Sequence, residues 1–342
     1  MQFTTSPIAK VVAHSISSVT GQEFITFEIE VWRGVLAELN THKALSKNTS
    51  SSRAIPIPSM LKFVRENPGM PFRFGAANTG MTDNGEHNQE VVFNYTDEDG
   101  NQICLPPVEA WKFCVDKAAE LSEAFHDAGY AKQISNRLTE IGQTSKVVIS
   151  GTDWANFYWL RDHEAADPTI AALAKVMLEA HKASVPVVLQ PGEWHTPYYQ
   201  DGYWKHDHDL EVYPVIKVDK YGVTLEDALA ISASCCAQAS YRKLDDTIEK
   251  ARGVVARLNL GVDVSEPCHA SPTEHQGTPI RDTIAWDTDY PWRDPVNTSR
   301  PATWQKGITH MTREGVFGSG NLKGFIQYRQ LIPGNVYTGE FK

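Results

Sequence analysis

A chain of 342 residues, 41% hydrophobic and 22% charged, has the length and balance to bury a sizeable core and lacks the composition of a disordered protein. Its formal net charge of -10 disfavours broad binding to nucleic acid or anionic membranes, since phosphate-backbone affinity grows with accumulated positive charge, so any phosphate it holds is expected in a local pocket. No apolar run approaches the roughly 18 residues that span a bilayer, MQFTTSPIAK lacks the order of a signal peptide, and Cys104, Cys114, Cys235, Cys236 and Cys268 contain no CxxC pair, so a cytoplasmic protein with reduced thiols is expected.

In chain order, Phe24 to Val31 alternates Ile25, Phe27, Ile29 and Val31 with Thr26, Glu28 and Glu30, the period of a half-buried strand. Gly34 to Leu45 then carries Val35, Leu36, Leu39 and Leu45 at helical spacing, which places Glu38 and His42 on a shared face. The polar run NTHKALSKNTSSSRAIP begins on this helix and is expected to leave it as a loop. Residues Arg65 to Asn101, rich in Gly, Asn, Asp and Pro around EVVFNY, read as a loop-and-hairpin insertion.

Pro107 to Gly129 is a predicted helix with Trp111, Cys114, Ala118, Leu121 and Phe125 on one side. Two more are predicted over Thr152 to Asp162 and Pro168 to Ala183, the second capped by Asp167 with Pro168 in its first turn. Leu225 to Ser240 and Leu244 to Leu258 supply another pair. Asp282 to Thr303 is Trp-, Pro- and Asp-rich and irregular, and GNLKGFIQYRQLI reads as a final strand. With no repeat and no clean linker, the pattern predicts one α+β domain over residues 1–342, with insertions at 65–101 and 282–303.

On composition, THKALSKNTSSSR is either a solvated serine-rich turn, the commoner case, or an anion site in which hydroxyls and amides join the charges of Lys43, Lys47 and Arg53. Other motifs offer less. His195, His206 and His208 lie in or near WKHDHDLEVY without a recognised ligand spacing, so a structural role is expected for them and no metal site is predicted. GSGNLKG lacks the P-loop spacing, and Cys235 and Cys236 read as helix packing.

The spacing of the polar run adds more than its composition. It resembles the RHRxxSxNExSxRY signature of the flavin-dependent thymidylate synthases, the ThyX family: His42, Ser46, Asn48, Ser51 and Arg53 match, and Lys43 stands at the second arginine. Thr41, Thr49 and Ala54 depart from the pattern, replacing an arginine, a glutamate and a tyrosine. As in that family, a strand and the start of a helix precede the run, with Glu38 at the place of a nucleotide-contacting glutamine. DWANFYWLRDHEAADPTI resembles the family's second segment, with Asn156 and Arg161 matching and His163 a shifted counterpart of its histidine. Arg137 in NRLTE falls near the place of another nucleotide-binding arginine.

A third match lies out of order. The segment from CAQASY to HASPTEHQ resembles the stretch that normally opens family members, through Ser240, Tyr241, His269, Ser271, Pro272, Glu274 and His275. The strand that this turn usually feeds sits here at the N-terminus. The chain therefore looks circularly permuted, an order similar to that of phage-encoded members, and the host cytoplasm would be its location.

The resemblance implies a ThyX-like α+β fold with a mixed or antiparallel sheet packed against helices, and reductive methylation of dUMP to dTMP with FAD, NADPH and methylenetetrahydrofolate. It implies Arg161 as the group that polarises the base, and Glu38, Ser51, Arg53, Arg137 and Arg161 as dUMP contacts. His42, Lys43, Asn156, His163, Ser240, His269, Ser271 and Glu274 would form the FAD pocket, in sites shared between subunits of a homotetramer. Two other readings stay open: a related flavoenzyme making another modified pyrimidine nucleotide, such as a hydroxymethylated one, and a non-catalytic nucleotide-binding or structural protein with this fold.

Overall fold

The computed structural model describes residues 6–80, 82–205, 222–239, 244–281 and 304–339. In chain order the strands are β1 (Ile8–Ser17), β2 (Glu23–Trp32), β3 (Ser46–Thr49), β4 (Val91–Thr96), β5 (Gln102–Leu105), β6 (Thr144–Gly151), β7 (Val187–Leu189), β8 (Trp194–His195), β9 (Tyr203–Trp204), β10 (Gly277–Pro279), β11 (His310–Met311), β12 (Phe317–Ser319), β13 (Leu322–Lys323) and β14 (Phe325–Gln327). The helices are α1 (Leu36–Asn40), α2 (Ile57–Glu66), α3 (Pro107–Asp127), α4 (Lys132–Ser135), α5 (Ala155–Arg161), α6 (Pro168–Ala183), α7 (Leu225–Ala237) and α8 (Ile248–Leu258).

The central sheet has the order β3-β6-β2-β1-β7 and is antiparallel except where β7 runs parallel to β1. A second, antiparallel sheet has the order β14-β10-β8-β9, and two small sheets, β11-β12-β13 and β4-β5, complete the described strands. The class is α+β.

Alternation in β2 makes one face of the central sheet. Ile25, Phe27, Ile29 and Val31 are buried with Val147 and Ile149 of β6 beneath α5 and α6, where Phe157, Ile170, Leu173 and Met177 close the core. The helix α6 forms as predicted, its first N–H groups received by the Asp167 carboxylate from Thr169 and Ile170 at 2.8 and 3.3 Å.

The opposite face of β2 departs from the half-solvated expectation. Glu28 and Glu30 are half-buried, but Phe24 and Thr26 are fully enclosed, because the second sheet and α7 cover that end. Burying Thr26 demands partners, and a chain of side chains supplies them. His275 Nδ1 meets Ser150 Oγ at 2.7 Å, Ser150 meets Thr26 at 2.6 Å, Thr26 meets His195 Nε2 at 2.8 Å, and His195 Nδ1 meets Ser15 at 2.9 Å. His195 also stacks on Phe24 at 4.0 Å between ring centroids, in line with the structural role expected of it, while His206 and His208 lie outside the described residues.

Three local expectations are revised. The helix predicted over Gly34 to Leu45 is a short 3-10 turn followed by α1, and residues Thr41–Leu45 form turns. The serine-rich run is not a loop throughout: Ser46–Thr49 pairs with Val147–Ser150 as the edge strand β3. On α3 the enclosed residues are Ala110, Val115, Ala119 and Ser122, while Leu121 and Phe125 of the predicted apolar side face outward at 59% and 39% exposure. The predicted stripe holds at its start, where Trp111 packs against α2 beside Val115 and Ala119, and fails at its end, where Leu121 and Phe125 lie beyond that contact. The 65–101 region contains β4 of the expected hairpin, and the 282–303 segment lies outside the described residues.

The turn before β9 is held by close approach. Gly202 has φ +92°, and a Cβ there would stand 2.6 Å from the Val12 carbonyl oxygen on β1. Gly202→Ala is expected to destabilise by about 2 kcal/mol through backbone strain and overpacking, read as a lowered urea midpoint with unchanged m-value.

Candidate anion-binding site

Arg161 closes α5 at its last turn, and its guanidinium reaches back 120 positions in sequence to the turn after α1. Nε–H donates to His42 Nε2 at 2.8 Å and a terminal N–H donates to Thr41 Oγ1 at 3.0 Å. His42 is buried against Phe157, with ring centroids 4.9 Å apart. Burial first, then the charges of Arg161 and Lys47, lowers its pKa to about 4. The imidazole is therefore neutral at pH 7 and accepts from Arg161 through Nε2. Thr41 Oγ1 itself donates to the Glu38 carbonyl at 2.6 Å, so the turn and the arginine are locked together.

Lys47 lies on the same side. Its ammonium donates to the carbonyls of His42 and Leu45 at 2.6 and 2.7 Å, and burial, with the nearby charge of Lys43, lowers its pKa to about 8 despite the opposing pull of Glu274. Glu274 comes from the 3-10 turn Ser271–Glu274, which packs against β3. Its carboxylate pairs closely with Arg329, and its carbonyl accepts from Gln327 Nε2 at 3.1 Å. Asn321 ties the turn before β3 to the C-terminal hairpin: Oδ1 accepts from Ser46 at 3.1 Å and Nδ2 donates to the Ala44 carbonyl at 3.0 Å. His42, Lys43, Arg161 and Glu274, read from three separate stretches, thus converge.

Ser51, Arg53 and Arg137 form a second grouping at the far end of β3. Asn136 Nδ2 donates to the carbonyls of Ser52 and Ile55 at 2.8 and 2.9 Å, stapling the turn that carries Arg53 to the one that carries Arg137. Both arginines are exposed, and Arg137 lies 3.8 Å from Glu140. Glu38 Oε2 and Asn48 Oδ1 are buried acceptors with no hydrogen-bond partner among the described residues.

Other expected members stand apart. Asn156, His269 and Ser271 are exposed, and the His269 backbone N–H donates to the Leu258 carbonyl at 2.9 Å. His163 accepts from the Ala165 N–H at 3.1 Å and lines a separate cavity of about 530 Å³ with Arg73, Asp83 and Lys175, so it does not join the Arg161 cluster. The chain turns outward after Arg161, where the helix ends at Asp162. Ser240 lies outside the described residues. Lys47's shifted ammonium, Asn321 and Arg329 carried no sequence signal; GNLKGFIQYRQLI, expected as one final strand, is instead the short strands β13 and β14 and a 3-10 turn, and nothing in its spacing showed that it returns to β3.

This donor set suits a phosphorylated ligand. Lys43, Lys47 and Arg161 supply positive charge, and two orphaned buried acceptors are available to N–H groups. Buried Cys235 and Cys236 play no part: burial raises both thiols, that of Cys235 to about 12, and they pack inside α7. Among the described residues, no helix is long and apolar enough to cross a membrane.

No known family model matches the chain, and no curated protein does. Among solved structures, the UMP/dUMP methylase PolB from Streptomyces cacaoi, bound with 5-Br dUMP, is similar over 53% of this chain and 90% of its own, at 13% identity and a TM-score of 0.33.

Proposed function

We propose that this chain is a divergent, circularly permuted ThyX-like enzyme that methylates a pyrimidine nucleotide, dUMP to dTMP, with FAD as its redox group and NADPH and methylenetetrahydrofolate as co-substrates. The observation that carries the reading is the Arg161 to His42 contact at 2.8 Å, across 119 positions, which joins the two best-matching segments of the resemblance. The turn bearing Glu274 packs beside the same strand, as a permuted third segment requires if it is to serve the same site. Permutation leaves such a site intact because it changes connectivity and not packing.

Each residue has a definable task in this reading. The uracil C5 is a weak nucleophile, and Arg161, oriented by neutral His42 and by Thr41, would stabilise the negative charge that grows on the base carbonyl as C5 attacks. Lys43 and Lys47 would hold FAD phosphate oxygens, and Ser51, Arg53 and Arg137 the nucleotide phosphate. Glu38 Oε2 would accept from a base N–H. Bound flavin would supply the redox chemistry that side chains lack. A homotetramer would complete the pocket around exposed Asn156, His269 and Ser271, and the outward Leu121 and Phe125 of α3 offer apolar surface for subunit contact.

The test is direct. Protein reconstituted with FAD is expected to retain flavin absorbance through gel filtration, oxidise NADPH only with dUMP and methylenetetrahydrofolate present, and yield a product with the mass of dTMP. A different pyrimidine mass would redirect the reaction while keeping the site; no retained flavin and no product would overturn the enzyme reading.

A further inference from the structure

A second cluster lies where the β1–β2 hairpin meets the C-terminal end of α6. His14 comes from β1, Glu23 from the first position of β2, and His181 from the last turn of α6. One ligand-type atom from each falls within 4.8 Å of the others. His181 Nε2 stands 3.2 Å from one Glu23 carboxylate oxygen, and His14 Nε2 stands 3.8 Å from the other.

The surroundings aim both rings inward. His14 Nδ1 meets Ser184 Oγ at 3.0 Å and His181 Nδ1 meets the Tyr158 hydroxyl at 3.2 Å. Each ring has a hydroxyl oxygen behind its Nδ1; with the proton on Nδ1 the ring offers Nε2 as a lone-pair donor to an ion, whereas without an ion His181 Nε2–H donates to Glu23. A Tyr158–His181–Glu23 hydrogen-bond chain would account for His181 alone. It does not account for His14, which is 7% exposed and whose Nε2 has no hydrogen-bond partner. At 3.8 Å from the Glu23 carboxylate this buried nitrogen is too far for a hydrogen bond, and a ligated ion would recover the free energy that costs.

We infer that His14, Glu23 and His181 form a binding site for a divalent transition-metal ion of the zinc or iron(II) class. Two imidazoles and one carboxylate are a ligand set that leaves further coordination positions open, and bonds of about 2.0–2.2 Å require the three side chains to close by about 1 Å. The open side faces a cavity of about 770 Å³, bordered by Gln22, Asp153, Trp154 and Lys323, so water or an anionic ligand has access to those positions. The site is separate from the Arg161 cluster and independent of the function proposed above. Residues 14, 23 and 181 share no motif spacing, which is why the sequence showed no metal site.

The full chain, stripped with a chelator and titrated with ZnCl₂ in a calorimeter, is expected to bind about one equivalent with micromolar or tighter affinity. Glu23→Gln and His181→Ala should each weaken binding about 100-fold or more, and Tyr158→Phe about 10-fold, by removing a ligand or its support. The His181 and Glu23 side chains are 20% and 43% exposed, so these variants are expected to fold, which circular dichroism checks; His14→Ala adds to the test wherever it folds. CoCl₂ gives a second readout through visible d–d absorption, whose band should disappear in His181→Ala. No saturable zinc binding, or binding that both the Glu23 and His181 variants leave unchanged, would overturn the inference.

Discussion

Arg161→Ala is expected to lower product formation by about 10²–10³-fold, the usual loss when one charged donor to a developing oxyanion is removed. The side chain is half-buried at a helix end and its described hydrogen bonds go to the turn of Thr41 and His42, so the fold should survive. A structural readout accompanies the kinetic one. Arg161 is the second cause, after burial, of the low pKa of His42, so in the variant the His42 titration should move upward from about 4 while remaining below its ordinary value. Arg161→Lys keeps the charge but not the two-pronged contact to His42 and Thr41, and should recover only part of the activity. Full turnover in Arg161→Ala would remove this residue from the mechanism, and an unshifted His42 would show that the contact is not formed in solution.

Acid is expected to destabilise the protein well before carboxylates protonate. Burial lowers His275 to about 3, His42 to about 4, and His195 and His14 below the ordinary histidine value. In the unfolded chain these rings titrate near 6.5. Between pH 6.5 and about 4 the unfolded state therefore binds protons that the native state refuses, and stability falls as pH falls. Each such histidine adds a slope approaching 1.4 kcal/mol per pH unit, and above pH 6.5 the same groups contribute no slope. For His275 burial alone is the cause: the ring is fully enclosed at the end of the chain that runs from Ser150 through Thr26 to His195. The urea midpoint should hold from pH 8 to 7 and drop steeply from 6 to 4.5. His275→Gln should be less stable at pH 7 but show a shallower drop. A flat midpoint from pH 7 to 4.5 would mean that these rings are not buried as described.

Much of the framework was legible in the residues. The period of β2 gave its buried face, and Asp167 with Pro168 gave the start of α6, because both signals are local: alternation and capping are set by neighbours within a turn or a pleat. Where neighbours are distant, local pattern misled. Leu121 and Phe125 looked like the inner side of α3, yet α2 receives Ala119 and Val115 instead. The serine run looked like a loop, yet β6 offers it an edge and Ser46–Thr49 becomes strand.

The candidate site divides in the same way. Resemblance to a known family's motifs brought forward His42, Lys43, Arg53, Arg161 and Glu274, and chemistry suggested an anion for them to hold. Only the tertiary structure shows that Arg161 rests on Thr41, the position where spacing recorded a lost arginine, and that Arg329 and Asn321 return from the chain's end to brace Glu274 and Ser46. It also separates His163 from the group. What the residues determined by themselves was the strand β2, the helices α3, α5, α6, α7 and α8, and which segments carry charge; the pairing of β1, β3 and β6 with it, and which charges meet, were decided by packing, because a contact between positions 42 and 161, or among 14, 23 and 181, depends on where sheets and helices dock and leaves no periodic trace in the chain.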